Sequence, residues 1–188
     1  MQLQNLIFQV EKYKPILEEI ASILEKKHRA NPIPAHPVGK WKHHAYPGGL
    51  LEHSLEVAEM ATKILGEDRL FLLFKVIALG HDIGKIQGDI SPSHPDLSER
   101  ILFEEIIPQA KKNSKITKAL WQEFEKSSIT RLIALTIKYH NLNFRNPETF
   151  ENKGENLFED FYFPYILLFI VADLASVAKC WLKNNKTY

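Results

Sequence analysis

The chain has 188 residues, 45% hydrophobic and 25% charged, with 24 basic against 23 acidic side chains and a formal net charge of +1. That length suits one domain with a sizeable core, and the composition is that of an ordinary soluble globular protein. The balanced charge supplies no field for wrapping duplex DNA or coating an anionic membrane, and the single Cys180 excludes an internal disulfide. The first residues, MQLQNLIFQVEKYK, lack the basic start and apolar run of a signal peptide, so the expected location is cytoplasmic.

In chain order, residues 2–28 carry Leu3, Leu6, Ile7, Val10, Tyr13, Leu17, Ile20, Ala21 and Leu24 at helical spacing, which predicts one amphipathic helix within an N-terminal segment 1–29. ANPIPAHPVG, residues 30–39, must be a loop. A second helix is expected from Gly49 to Leu65 and a third from Arg69 to His81, where FLLFKVIAL is nearly all apolar and Gly84 then supplies a stop. QGDISPSHP reads as loop, because Ser91 and His94 each precede a proline. A helix over 96–107 closed by Pro108 should follow, then a short one over 116–124, then 129–140 with Ser128 as its N-cap. Residues 141–156 are polar and irregular, with the length of either a functional lid or a merely mobile loop.

The last helix, 163–183, contains FPYILLFIVADLASVAKCWL, nearly long enough to span a bilayer. Asp173 at its middle would cost roughly 2.5–3.5 kcal/mol there, so the segment is expected as a central helix of a soluble core. No strand alternation and no repeat is visible. The predicted fold class is all-α, one domain over 1–188, a bundle of about six to eight helices without significant sheet.

Three of these apolar helices carry ionisable groups that are expensive to bury unless paired or metal-bound. His53 sits among Leu50, Leu51, Leu55 and Ala58, His81 and Asp82 close the third helix, and Asp173 interrupts the last. Two imidazoles and two carboxylates form a mixed N/O donor set suited to Mn, Fe, Co, Ni or Zn, with Mg less natural. Lys85 follows a glycine that frees the backbone, so its ammonium can face a substrate phosphate, the alternative being a solvated lysine. His43 and His44 precede the Gly48-Gly49 turn that aims His53. They either contact substrate, donate a proton, brace a ligand, or form an ordinary surface pair. Trp41 and Tyr46 either stack on a base or pack, His28 and His36 read as surface residues, and Arg100, Arg131 and Arg145 are equivalent candidates for a phosphate.

The order His53, His81-Asp82, Asp173 resembles the H…HD…D signature of the HD superfamily of metal-dependent phosphohydrolases. GGLLEHSLEVA followed by HDIGK extends the resemblance over about residues 43–175. HHAYPGGLLEHSLEVA is similar to the HD domains of bacterial 3′–5′ exoribonucleases and of conjugative-element relaxases. The resemblance implies a helical HD core with one or two divalent metal ions. His94 in SPSHPDLSERIL and His140 in TIKYHN resemble the extra histidines of dinuclear members, in which Asp82 would bridge two ions.

The implied activity is phosphoester hydrolysis by metal-activated water. Asp82 would ligate and accept the water's proton, while Lys85 and His44 or His43 would offset phosphate charge or protonate the leaving group. The expected substrate is a small phosphorylated molecule, such as a nucleotide, or a single-stranded nucleic acid end. No membrane partner is expected and a homodimer is allowed. The alternatives are a di-iron HD-fold oxygenase using the same six residues and a non-catalytic signalling module. The presence of all four core residues argues against the module.

Overall fold

Helix follows helix through the computed structural model, which describes residues 3–36, 43–88, 94–113, 115–140 and 162–185. The helices are α1 (Leu3–Lys12), α2 (Lys14–Ala30), α3 (Gly49–Leu65), α4 (Phe71–His81), α5 (His94–Ile101), α6 (Ile107–Asn113), α7 (Lys118–Glu125), α8 (Ser128–Tyr139) and α9 (Phe163–Asn185). Short 3-10 turns, Asp68–Leu70 and Ile83–Gln87, flank α4, and no strand occurs among the described residues. The fold class is therefore all-α, as the helical periodicity and the lack of strand alternation require.

The hub is α4. Leu73, Phe74, Val76, Ile77, Ala78 and Leu79 are all buried, and the helix packs against α2, α3, α5 and α8. Burying each large apolar side chain contributes roughly 1.5–3 kcal/mol. Gly80 lets α8 approach: a Cβ there would lie 2.9 Å from the Ile137 Cδ1. A helix apolar all round must be surrounded, so the polar groups at its C-terminal end, His81 and Asp82, lie inside the protein.

Several boundaries differ from expectation. The single N-terminal helix is two, α1 and α2, broken at Tyr13 because Pro15 in the first turn of α2 cannot donate to a preceding carbonyl. Pro108 does not close its helix. The chain widens into a π-turn over Leu102–Ile106, where the Ile107 N–H reaches back to the Leu102 carbonyl, and helix continues through the proline to Asn113. Helix also begins earlier than residue 96, at His94. The N-cap of α8 is Ser127, whose hydroxyl accepts from the Thr130 N–H at 3.3 Å, while Ser128 donates to Gln9 Oε1 at 2.7 Å. Gly84 is not a stop, since α4 ends three residues earlier, at His81. The loop 141–156 lies outside the described residues.

The last helix also departs from its expected central position. One face of α9, with Ile166, Phe169, Ala172 and Ser176, is buried and packs on α3 and α8. The opposite face exposes Leu167, Val171 and Leu174. Over Phe163–Leu182 the helix is long and apolar enough to pass a length-and-composition test for a membrane span. Its near-uniform hydrophobicity hides which face packs.

The turn before α3 depends on its glycines. Gly48 adopts φ +83°, in the left-handed region, and His44 itself sits at φ +45°. A Cβ on Gly49 would collide with the His44 carbonyl oxygen. That oxygen accepts from the Ala35 N–H at 3.1 Å, and the His44 N–H donates to Cys180 Sγ at 3.3 Å, so the turn cannot back away freely. Replacing Gly49 by Ala is expected to destabilise the protein by about 1–3 kcal/mol in urea unfolding. An unchanged midpoint would show that the turn has room to relax.

Candidate metal centre

Five helix ends and middles deliver six polar side chains to the region below α4. His53 projects from the second turn of α3 and is 1% exposed; His81 ends α4 and is fully buried; Asp82 follows it at 3% exposure. His94 opens α5, His140 directly follows α8, and Asp173 lies midway along α9. Gly84 and Ser98 set the position of His94. The Gly84 N–H donates to the Ser98 hydroxyl at 2.9 Å, and a Cβ on Gly84 would stand 2.8 Å from the His94 carbonyl oxygen. The glycine of HDIGK thus makes room for the helix that carries the next histidine.

These groups converge. His53 Nε2 is 3.0 Å from Asp173 Oδ1. Asp82 faces two ways: Oδ2 lies 3.4 Å from His81 Nε2, and Oδ1 lies 2.8 Å from His94 Nε2 and 3.5 Å from His140 Nε2. Two overlapping triads, His53–His81–Asp173 and His81–Asp82–His140, each hold their ligand atoms within 4.8 Å of one another. Lys85 Nζ is on Asp82 Oδ2 at 2.5 Å and also donates to the Ala35 carbonyl at 3.4 Å, so it is engaged with the carboxylate rather than solvated.

Hydrogen bonds on the far side of each ring determine what faces inward. His81 Nδ1 donates to the Ala78 carbonyl at 2.6 Å and His140 Nδ1 to the Ile137 carbonyl at 2.7 Å, each three residues back on its own helix. Because a carbonyl only accepts, each Nδ1 carries a proton, and the neutral form of each ring has its lone pair on Nε2. Both Nε2 atoms are buried without a hydrogen-bond partner. Buried lone pairs beside a carboxylate, with no proton between them, fit a divalent cation and leave an unmet cost without one. The donor set of imidazoles and carboxylates suits a transition metal.

Ionisation follows the geometry. Burial pushes the His81 imidazole down to about 3, so it stays neutral and keeps its lone pair. Burial alone would raise the Asp82 carboxyl, but its neighbours His81, the Lys85 ammonium, His140 and His94 hold it well below the usual carboxylate range. Asp173 is likewise opposed by burial, yet the His53 contact and the neighbouring imidazoles bring it to about 2. At the mouth, burial and then the nearby His53, Lys85, His44 and His36 lower His43 to about 4. Burial and His53 lower His44 too, partly offset by Glu56 and Glu52.

The remaining candidates divide. The His43 and His44 rings lie tilted beside His53, with centroids 5.1 and 5.5 Å away, so they are not an ordinary surface pair. Tyr46 is 43% exposed and its hydroxyl donates to Glu52 at 2.6 Å. Arg100 and Arg131 face solvent; Arg131 lies over the Tyr162 ring, roughly 13 Å along α8 from His140. Trp41 and Arg145 lie outside the described residues. Two histidines expected on the surface are not there. His28 is 2% exposed and its Nε2 donates to the Leu79 carbonyl at 2.8 Å, and His36 is half-buried, 5.6 Å from the His43 ring. Two neighbours escaped the sequence altogether: Ser176, whose hydroxyl lies 3.2 Å from His53 Nδ1, and Glu56, which bonds Ser176. Each stands three residues after a candidate ligand on the same helix face, 53 and 56 on α3, 173 and 176 on α9.

Comparison with known proteins agrees with this geometry. The HD domain family model matches residues 50–159, a stretch that includes His53, His81, Asp82, His94 and His140. Asp173 falls beyond the match, and the fold brings it back. A model described as a putative helicase matches residues 9–73. No curated protein and no solved structure shows significant similarity. The HD match covers more than half of the chain and its histidines and aspartate are the ones that converge, so the chain belongs to the HD domain family, most of whose members are metal-dependent phosphohydrolases.

Proposed function

We propose that this chain hydrolyses a phosphoester, of a nucleotide or of a single-stranded nucleic acid end, with one or two divalent metal ions held by His53, His81, Asp82, His94, His140 and Asp173. The observation that carries the reading is the pair of inward, partnerless Nε2 lone pairs of His81 and His140 on either side of the buried Asp82 carboxylate. Bound there, a divalent ion would polarise a phosphoryl oxygen and lower the pKa of a water toward ~7.

The chain's own residues would do the rest. His53, His81 and Asp173 hold one side of the centre, His94 and His140 the other, and the two oxygens of Asp82 face both. Asp82 orients the attacking water. Lys85, already the charge partner of Asp82, offers its ammonium to substrate phosphate. His43 and His44 are neutral at pH 7 in the free protein. They therefore approach substrate as hydrogen-bonding groups and gain a proton only when an anionic substrate stands beside them. The balanced net charge favours small substrates or nucleic acid gripped at one end, and the putative-helicase match over residues 9–73 lends weight to nucleic acid.

A panel of phosphomonoesters, phosphodiesters and short RNA and DNA oligomers, each with Mn, Fe, Co, Ni, Zn and Mg, tests the reading. Phosphoester cleavage is expected with at least one metal and should vanish in Asp82→Ala with the fold retained. Cleavage that persists in that variant would overturn the assignment. Oxygen uptake by the iron-loaded protein without phosphate release would instead mark a di-iron oxygenase. His140→Ala should lower the metal content from two ions per chain to one, and an unchanged content of one tightly held ion would count against a dinuclear centre.

Acid sensitivity follows from the depressed histidines. His43 at about 4 and His81 at about 3 lie below the ordinary 6.5. Below pH ~6.5 the unfolded chain binds protons that the folded chain refuses, so stability falls with pH and is fully present above that value. The metal-free protein should have a lower urea midpoint at pH 5 than at pH 7, and equal midpoints would contradict the buried neutral imidazoles.

A further inference from the structure

His81 and His140 have their Nδ1 protons fixed by carbonyls of their own helices, but His53 does not. Its Nδ1 faces the Ser176 hydroxyl of α9 at 3.2 Å. Ser176 is fully buried and its hydroxyl also lies 3.2 Å from Glu56 Oε2, on the same helix as His53. Glu56 in turn receives the Lys179 ammonium on Oε1 at 2.9 Å and lies 3.3 Å from His44 Nε2.

We propose that Glu56 and Ser176 are positioning residues for the metal centre, a carboxylate–hydroxyl relay that holds the His53 proton on Nδ1 and leaves the Nε2 lone pair for the ion. The argument is a count of protons. A serine hydroxyl has one, and an ionised carboxylate can only accept. Burial opposes ionisation of Glu56, but the Lys179 hydrogen bond and charge, with His44, bring it below the usual carboxylate range. The Ser176 proton therefore goes to Glu56, and the Ser176 oxygen is left to accept from His53 Nδ1–H.

The relay matters because the other tautomer has a trap. With its proton on Nε2, His53 would donate to Asp173 Oδ1 at 3.0 Å, and the two would satisfy each other. That hydrogen bond closes one side of the centre. The relay keeps the pair open by making both inward atoms acceptors, which only a cation can reconcile. It also joins the two ligand-bearing helices, since Glu56 shares α3 with His53 and Ser176 shares α9 with Asp173.

The proposal rests on the metal-centre reading but not on hydrolysis. Long-range 1H–15N correlation of the metal-free full chain, above the ordinary histidine titration range, reads the His53 tautomer, and calorimetry reads Mn or Zn affinity. Wild type and Ser176→Thr should show the Nδ1–H form and similar affinities. Ser176→Ala and Glu56→Ala should shift His53 toward Nε2–H and weaken one binding step by about 10–100-fold. An Nε2–H wild type, or unchanged tautomer and affinity in both alanine variants, would overturn it. Because Glu56→Ala and Ser176→Thr bracket the buried position, the test survives a misfolded Ser176→Ala. A wild type that binds metal and shows the tautomer shift yet cleaves no phosphoester would sink the hydrolase reading and leave the relay standing.

Discussion

The buried carboxylate of Asp82 is the constraint around which the rest of the molecule is arranged. A charge at 3% exposure is costly unless it is surrounded by groups of the opposite character. Here Lys85 meets one oxygen, while His94 and His140 flank the other. Those partners come from a 3-10 turn, the first residue of α5 and the end of α8, three separate elements that must all dock before the carboxylate is compensated. The apolar hub helix α4 forces the position: it packs against α2, α3, α5 and α8 and is buried continuously from Val76 to His81, so its C-terminal end enters the interior.

Fold and site are therefore coupled by the same contacts. Gly80 admits α8, and with it His140; Gly84 admits α5, and with it His94. His28 reaches from α2 to the Leu79 carbonyl, two residues before His81, and so ties the N-terminal half to the end of the hub. The turn with His43 and His44 is fastened to α9 through the His44 N–H and Cys180, which keeps both rings close to His53. A metal ion in such a centre would bind a cavity assembled by the core, and its affinity would add to the stability of the fold.

Much of this was legible in the sequence because burying a charge leaves a trace. Polar residues at 53, 81, 82 and 173 interrupt apolar helices, and the structure brings those interruptions together. The bounds of α3 were also readable, since the glycines at 48 and 66 mark both ends. Other features left weaker traces. The helical periodicity of 2–28 runs straight across Pro15 and Pro108 reads as a stop, yet the first breaks a helix and the second is absorbed by a π-turn, a choice made by packing. Ser127 and Ser128 are equivalent as letters, and only the position of Gln9 decides which one caps. His28 looks like a surface residue among Lys and Arg because its buried partner is a backbone carbonyl far along the chain. Ser176 and Glu56 carry no motif and are recognisable only from their spacing to their neighbours and from the far side of the His53 ring.

The most direct measurement is anomalous diffraction at the manganese edge from crystals grown with Mn. The account predicts a peak bounded by His53 Nε2, His81 Nε2, Asp173 Oδ1 and an Asp82 oxygen, with a second between Asp82, His94 and His140 when both positions fill. Crystals with Mn bound elsewhere and no peak among these side chains would contradict it.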